Sequence, residues 1–208
     1  MSSSDVIWPE TSSGRSFLES YVEDLSGLIS GLDLEGVQRL ADVLDEACGG
    51  GKTVFCVGNG GSAATALHFA TDLSWGRRAV SEERPRAVSL TANSPLMTAL
   101  SNDVGYADVF VEQLRSFFSH GDVVMAISAS GNSENVLRAV SYANEHGGVS
   151  LGLAGFDGGK MKSACHTCVH VETPAGMYEL VEDVHHAICH MVASYLKTKA
   201  AIRAGAGG

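Results

Sequence analysis

The stretch GDVVMAISASGNSENVLRAV, residues 121–140, joins an apolar run to a hydroxyl-rich turn and the start of a helix. Its residues 122–128 (DVVMAIS) predict a buried strand, because strands covered on both faces are nearly continuous apolar runs. The turn SASGNS follows at 128–133, and a helix is predicted over 133–146. A strand, a short turn and a helix in this order are typical of one βα unit of a parallel sheet.

The same alternation extends in both directions from this stretch. Further strands are predicted at 53–58, 86–91, 149–155 and 168–173, and further helices at 62–74, after Pro95 and at about 176–201. Apolar residues at helical spacing over 16–47 predict two more helices, with a break near Gly36. The predicted fold class is therefore α/β, with a parallel sheet covered by helices on both faces.

Length and composition indicate one folded domain. A chain of 208 residues fits a single core, and 45% hydrophobic with 18% charged residues excludes a disordered chain. We expect a single domain over 16–201, between flexible tails at 1–15 and 202–208, which are rich in small and polar residues.

Charge and hydropathy exclude several classes of partner. A net charge of −10 opposes binding to a nucleic-acid backbone, which needs a basic patch. No apolar run reaches the roughly 18 residues of a membrane span, and the N-terminal residues lack a signal-peptide layout. We therefore expect a cytoplasmic protein without membrane contact.

The cysteine content argues against a disulfide framework. Five cysteines form an odd, scattered set, in which 165–168 is a lone CxxC motif. Ordinary packing is the preferred interpretation of that motif, and a zinc or redox site is the alternative.

Two loops that follow predicted strands are candidates for anion binding. The first, 58–62 (GNGGS), contains Gly60, and its glycines allow a close backbone approach, while Ser62 is expected to cap the next helix. The second contains Ser128, Ser130 and Ser133, whose hydroxyls and the helix N–H groups could hold a phosphate without any lysine or arginine. A plain turn with a helix cap is the alternative. A dinucleotide site is disfavoured, because the first loop lacks GxGxxG spacing.

Histidine and carboxylate residues recur at steps of four on two predicted helices. His68 and Asp72 form one pair, and Glu182, His186 and His190 follow on the last helix. This spacing places side chains on one face, and imidazole with carboxylate suits Zn²⁺ or another first-row divalent ion. A surface contact is the alternative for the first pair, and a packed or surface histidine is the preferred interpretation of His186.

Several segments together resemble the SIS (sugar isomerase) domain family and, within it, the phosphoheptose isomerases. The resemblance covers about residues 16–197 and depends on these segments: GNGGSAATALHFATDL (58–73), ALSNDVGYADVF (99–110), GDVVMAISASGNSENVLRAV (121–140), AGFDGGKM (154–161) and VEDVHHAICH (181–190).

The resemblance implies a three-layer α/β/α sandwich with a five-stranded parallel sheet, N-terminal helices and a long C-terminal helix. It also implies a homotetramer with active sites at subunit interfaces. By the same resemblance a sugar phosphate would contact these residues: Asn59, Gly60, Ser62, Asp103, Ser128, Ser130, Ser133, Glu179 and Glu182. Ala129 stands where relatives carry threonine, so one hydroxyl is missing. A solvated helix carboxylate is the alternative for Glu179.

The resemblance further implies a divalent metal, with zinc the expected ion, bound by His68, Asp72, Glu182 and His190. It assigns catalytic acid–base chemistry to Asp72 and His190. Two positions depart from the family pattern, which has glutamate in place of Asp72 and glutamine in place of Glu182. His185 matches a family residue, but its side chain is expected to point elsewhere on the helix.

The implied activity is a metal-dependent aldose–ketose isomerisation of sedoheptulose 7-phosphate to an aldoheptose 7-phosphate. An enediol route needs a base for the carbon-bound proton, an acid for the oxygens and a positive centre. The alternative is a non-catalytic SIS protein that binds a sugar phosphate or a protein partner as a scaffold. Members of that group typically lack the complete histidine and carboxylate set.

Overall fold

Five short parallel strands form the central sheet of the computed structural model, which describes residues 13–76 and 84–206. The strands are β1 (Thr53–Val57), β2 (Arg86–Ser89), β3 (Val123–Ser128), β4 (Val149–Ala154) and β5 (Thr167–His170). Their order is β2-β1-β3-β4-β5. All residues of β1 and β3 are buried, as their apolar runs predicted, because helices cover both faces of the sheet.

The helices form the two outer layers. They are α1 (Gly14–Ser30), α2 (Leu34–Gly49), α3 (Gly61–Trp75), α4 (Ser94–Asp103), α5 (Val109–Phe117), α6 (Glu134–Glu145), α7 (Met161–Ala164) and α8 (Tyr178–Ala206). A core on one face combines α2, α3 and α8 with the sheet, and a second core on the other face combines α5 and α6 with it. The predicted three-layer α/β/α sandwich is therefore confirmed.

The first two helices separate earlier than predicted. Gly31 ends α1, and Asp33 caps α2 by accepting a hydrogen bond from the Gly36 backbone N–H at 2.9 Å. The prediction of two helices is confirmed, but the break lies at 31–33 rather than near Gly36, because the aspartate cap starts α2 before that glycine.

Other element bounds also differ from the prediction. The helix α5 and the short 3₁₀ turn Tyr106–Asp108 had no prediction. The helix α8 continues to Ala206, so residues 202–206 are helical where a flexible tail was predicted. Most of the predicted N-terminal tail lies outside the described residues, and the domain limits stay a prediction.

All five cysteines are free thiols, which agrees with the absence of a disulfide framework. Within the described ranges, no helix is both long and apolar enough to cross a membrane.

Candidate active site

The two candidate loops are the glycine loop, residues 58–62, and the serine loop, residues 128–133. They lie side by side because β1 and β3 are neighbours in the sheet. Both loops follow the carboxyl ends of their strands, where parallel sheets bind ligands. Together with the start of α8 they enclose a cleft of about 140 Å³, which we call the serine cleft. The cleft is lined by Asn59, Ser62, Ser128, Ala129, Ser130, Ser133, Tyr178 and Glu182. Six of the nine predicted substrate-binding residues, Glu182 among them, therefore line one cavity.

The glycine loop turns sharply into α3. Gly60 has a φ of 55°, a backbone conformation that other residues rarely adopt. It stands at the N-cap of α3 without any side-chain cap, and Ser62 is already the second residue of the helix. The prediction that Ser62 caps this helix is therefore wrong. Its hydroxyl is buried at the cleft instead.

The serine loop presents hydroxyl groups at the start of α6. The oxygens of Ser128 and Ser133 lie 3.3 Å apart, and Ser130 Oγ accepts a hydrogen bond from the Asn132 backbone N–H at 3.2 Å. Ser133 stands at the N-cap of α6 but makes no side-chain capping bond. Its hydroxyl can therefore serve a ligand. No lysine or arginine is among the residues that line the cleft.

The segment 158–161 supports the serine loop from behind. Gly131 has a φ of 61°, and a Cβ there would overlap the backbone of Gly158. Met161 donates its backbone N–H to the Gly131 carbonyl at 3.0 Å, and Lys160 donates its own to Asn132 Oδ1 at 3.1 Å. These contacts explain why the GGK stretch accompanies the serine loop: the two backbones touch.

A pair of asparagine side chains joins the glycine loop to α6. Asn59 Nδ2 donates to Asn135 Oδ1 at 2.8 Å, and Asn135 Nδ2 donates back to Asn59 Oδ1 at 2.9 Å. The Tyr106 hydroxyl donates to the same Asn59 oxygen at 2.7 Å. Two donors fill the lone pairs of that oxygen, so Asn59 has only an N–H left to offer a ligand. Sequence reasoning missed Asn135 and Tyr106, because nothing in their spacing marks them.

A second group of side chains lies further along α3 and α8, where these helices pack together. The histidine group consists of His68, His186 and His190. Each of them places one ring nitrogen within 4.8 Å of the others. Asp72 Oδ2 lies 3.6 Å from His68 Nε2 and 3.7 Å from His190 Nε2. The side chains of His68 and His190 are 48% and 49% exposed, so solvent or a ligand can reach the group.

Membership of this group differs from the predicted ligand set at two positions, and the ligand roles themselves stay predictions. His186 joins His68 and His190, although it was interpreted as a packed or surface histidine. Glu182 does not join them among the described residues, and it lines the serine cleft instead. The reason is that Glu182 stands one helical turn before His186, a rise of about 6 Å, and so reaches the N-terminal end of α3.

Two members of the site have shifted pKa values. Burial raises the pKa of Glu182, and the negative charges of Glu179 and Asp183 add to this effect. Burial lowers the pKa of His186, and the neighbouring His190 and His68 act in the same direction. A neutral imidazole is the form that binds metals and accepts protons.

His185 points away from this group, as predicted. It is fully buried in the core, and burial lowers its pKa to about 4. Neither ring nitrogen makes a hydrogen bond of good geometry within the described ranges, although the Ala154 carbonyl lies near enough to oppose the shift. We therefore treat His185 as a neutral packing residue.

Three predicted substrate residues do not line the cleft of a single chain. Asp103 is exposed at the end of α4, where it accepts a hydrogen bond from the Asn102 side chain at 2.9 Å. Glu179 is exposed in the first turn of α8, and Gly60 borders the cleft only through its neighbours. Their substrate roles stay predictions.

Comparison with known proteins agrees with this architecture. The SIS domain family model matches residues 19–155. The phosphoheptose isomerase of Rhodospirillum rubrum is 41% identical over 144 residues, which span 69% of this chain and 74% of that protein. The enzyme of the same name from Geobacter sulfurreducens is 33% identical over 94% of this chain and 97% of its own length.

A solved structure gives the same result for the fold. The phosphoheptose isomerase of Neisseria gonorrhoeae superposes with a TM-score of 0.78 at 28% identity, over 88% of this chain and 96% of that one. The chain therefore belongs to the SIS domain family and, within it, to the phosphoheptose isomerase group of enzymes.

Proposed function

We propose that this chain is a metal-dependent aldose–ketose isomerase that converts sedoheptulose 7-phosphate to an aldoheptose 7-phosphate through an enediol. The observation that carries the proposal is that two helices, α3 and α8, connect a hydroxyl-lined cleft to a histidine and carboxylate group. Ser62 and His68 are six residues apart on α3, a rise of about 9 Å. A phosphorylated sugar chain can therefore reach from one group to the other.

The serine cleft would hold the phosphate. The hydroxyls of Ser128, Ser130 and Ser133 converge at the start of α6, whose N-terminal N–H groups attract anions. An acidic chain needs such a local trap, because its net charge of −10 repels phosphate at long range.

The second group fits a divalent ion. Its donors are imidazole nitrogens with a carboxylate oxygen less than 4 Å from two of them, a set that suits zinc and other first-row metals. His68, Asp72 and His190 would hold the ion. Once bound, a metal supplies positive charge that stabilises developing negative charge on the sugar oxygens.

Asp72 and His190 would carry out the proton transfers. Isomerisation moves one proton between adjacent carbons and another between their oxygens. Asp72 is 30% exposed and lies beside His190, so a base and an acid face the same open space. Asp72 is shorter than the glutamate of the family pattern, but its carboxylate still lies less than 4 Å from the imidazoles of both His68 and His190.

A homotetramer would complete the site. Exposed apolar side chains stand next to the histidines in sequence, Leu67 beside His68 on α3 and Met191 beside His190 on α8. Apolar residues clustered beside a polar site are typical of surfaces that a partner covers. We propose that a second copy of the chain covers this face.

The cytoplasmic location stays a prediction.

The test is isotope exchange from deuterated water into sedoheptulose 7-phosphate, in protein supplied with zinc. We expect exchange in the wild type and none in Asp72→Asn or His190→Ala, while sugar-phosphate binding persists because the serine cleft is unchanged. Absence of exchange in the wild type, with any five- to eight-carbon sugar phosphate, would contradict the isomerase and support the scaffold.

A further inference from the structure

His186 shares the spacing of four with Glu182 and His190, but the family pattern does not assign it to the site. It stands on the α8 face that packs against α3, between Glu182 and His190. Its ring centroid lies 4.7 Å from that of His68 and 4.4 Å from that of His190. Three imidazoles from two helices thus surround one small volume.

We propose that His186 is a direct metal ligand in this chain and that it replaces Glu182 in that role. The ion would then be held by His68, His186 and His190, with Asp72 beside it. This inference rests on the proposed function, which requires a bound metal. It differs from that proposal in the residues that bind the ion.

The distances suit a shared ion. Two imidazole nitrogens bound to one tetrahedral zinc, at about 2.0–2.1 Å from it, are about 3.4 Å apart. The three ring nitrogens lie within 4.8 Å of one another. They must therefore approach by at most about 1.4 Å, which small changes of the side-chain torsions provide.

The position of Glu182 argues for the same assignment. Its carboxylate lies against the backbone of Gly61, so closely that a Cβ there would overlap it. It also lines the serine cleft. Moving it to the histidine group would vacate this contact, whereas His186 needs no such displacement.

The assignment leaves Asp72 free for chemistry. Three protein ligands with one open position are typical of catalytic zinc sites. With three imidazoles on the ion, the Asp72 carboxylate is not required as a ligand. It can accept a proton from the substrate without weakening the metal site.

The experiment measures metal binding rather than turnover. Metal-free full-length protein is titrated with Zn²⁺ for affinity and with Co²⁺ for the visible absorption that reports coordination geometry. The variants are His186→Ala, His186→Gln and Glu182→Ala, with His120→Ala as the control for loss of an exposed histidine outside the group. Circular dichroism confirms that each variant is folded.

We expect both His186 variants to bind Zn²⁺ about 100-fold or more weakly and to change the Co²⁺ spectrum. Residues that only orient a ligand already contribute 10–100-fold, so a direct ligand should contribute at least the upper value. Glu182→Ala and His120→Ala should match the wild type. Unchanged affinity and spectrum in His186→Ala, or an equal loss in Glu182→Ala, would overturn the assignment.

The outcomes also separate this inference from the proposed function. A wild type that binds no Zn²⁺ overturns the ligand assignment together with the metal dependence. A wild type that binds Zn²⁺ through His186 but shows no isotope exchange overturns the isomerase and supports the assignment.

Discussion

The Glu182 carboxylate fills the space that a Cβ at position 61 would take, so that Gly61 makes room for this carboxylate at the first turn of α3. The positive end of the helix dipole offsets only part of the cost of placing a carboxylate there, because burial still raises the pKa of Glu182. The glycine is therefore required for room rather than for its backbone conformation.

Gly61→Ala should lower kcat/KM about 100-fold, because the methyl group forces the Glu182 carboxylate out of the cleft and displacements on the order of 1 Å have that effect. Steady-state kinetics measure it. The same substitution in a Glu182→Ala background should have little further effect if the conflict is steric. Gly27→Ala on α1 is the matched control, since nothing lies within 4 Å of a Cβ there. A full loss that persists in the double variant would contradict this explanation.

Ser130→Ala and Ser133→Ala should each raise KM for the sugar phosphate about 10- to 150-fold, because a hydrogen bond to a charged group contributes about 1.5–3 kcal/mol. Isothermal titration with inorganic phosphate gives the same comparison without turnover. Ser163→Ala, an exposed serine outside the cleft, is the control. Unchanged affinity in both cleft variants would exclude the serine loop as the phosphate site.

Glu182→Gln should make stability less dependent on pH. The pKa of Glu182 is raised by folding, so the folded chain binds its proton more tightly than the unfolded chain does. The contribution of this proton to the free energy of unfolding is fully present below the usual glutamate pKa. It is lost as pH rises through the pKa of Glu182 in the folded chain. The variant should therefore be more stable than the wild type at neutral pH and not at low pH. Urea unfolding of metal-free protein measures this, with Glu145→Gln as the exposed control; an equal difference at every pH would contradict it.

Asn135→Ala should destabilise the chain by about 1–3 kcal/mol, because it leaves the half-buried Asn59 amide without its partner. Asn135→Asp keeps the acceptor for Asn59 Nδ2 but places a buried carboxylate oxygen against Asn59 Oδ1, so its loss should be at least as large as that of Asn135→Ala. Urea midpoints at constant m-value measure both. A markedly smaller loss in Asn135→Asp than in Asn135→Ala would contradict the importance of the bond that Asn135 donates to Asn59.

The fold could be predicted in outline because its signals are local. The run at 122–128 and the turn after it are complete within a few residues, and β3, its loop and α6 were all placed correctly. The helix α5 had no prediction, and its bounds follow from packing against α6 and the sheet. Such packing depends on elements that are distant in sequence.

The site was predictable only up to the choice among residues on one helical face. Glu182, His186 and His190 share the spacing of four, so the sequence places them alike. Which of them lies next to His68 depends on the position of α8 along the axis of α3. That offset is set by tertiary packing. The Asn59–Asn135 pair is similar: Asn59 was predicted as a substrate contact, but its pairing with Asn135 depends on β1 and β3 being neighbours in the sheet.

The pairing of α3 with α8 also has a consequence for biosynthesis. His68 emerges from the ribosome with the first βα unit, whereas His186 and His190 belong to the last described helix. Long-range contacts of this kind close only after the intervening chain has been made. Nascent chains that lack α8 would therefore expose the apolar faces of α2 and α3 to chaperones and proteases, and they would hold neither ligand nor metal until translation is nearly finished.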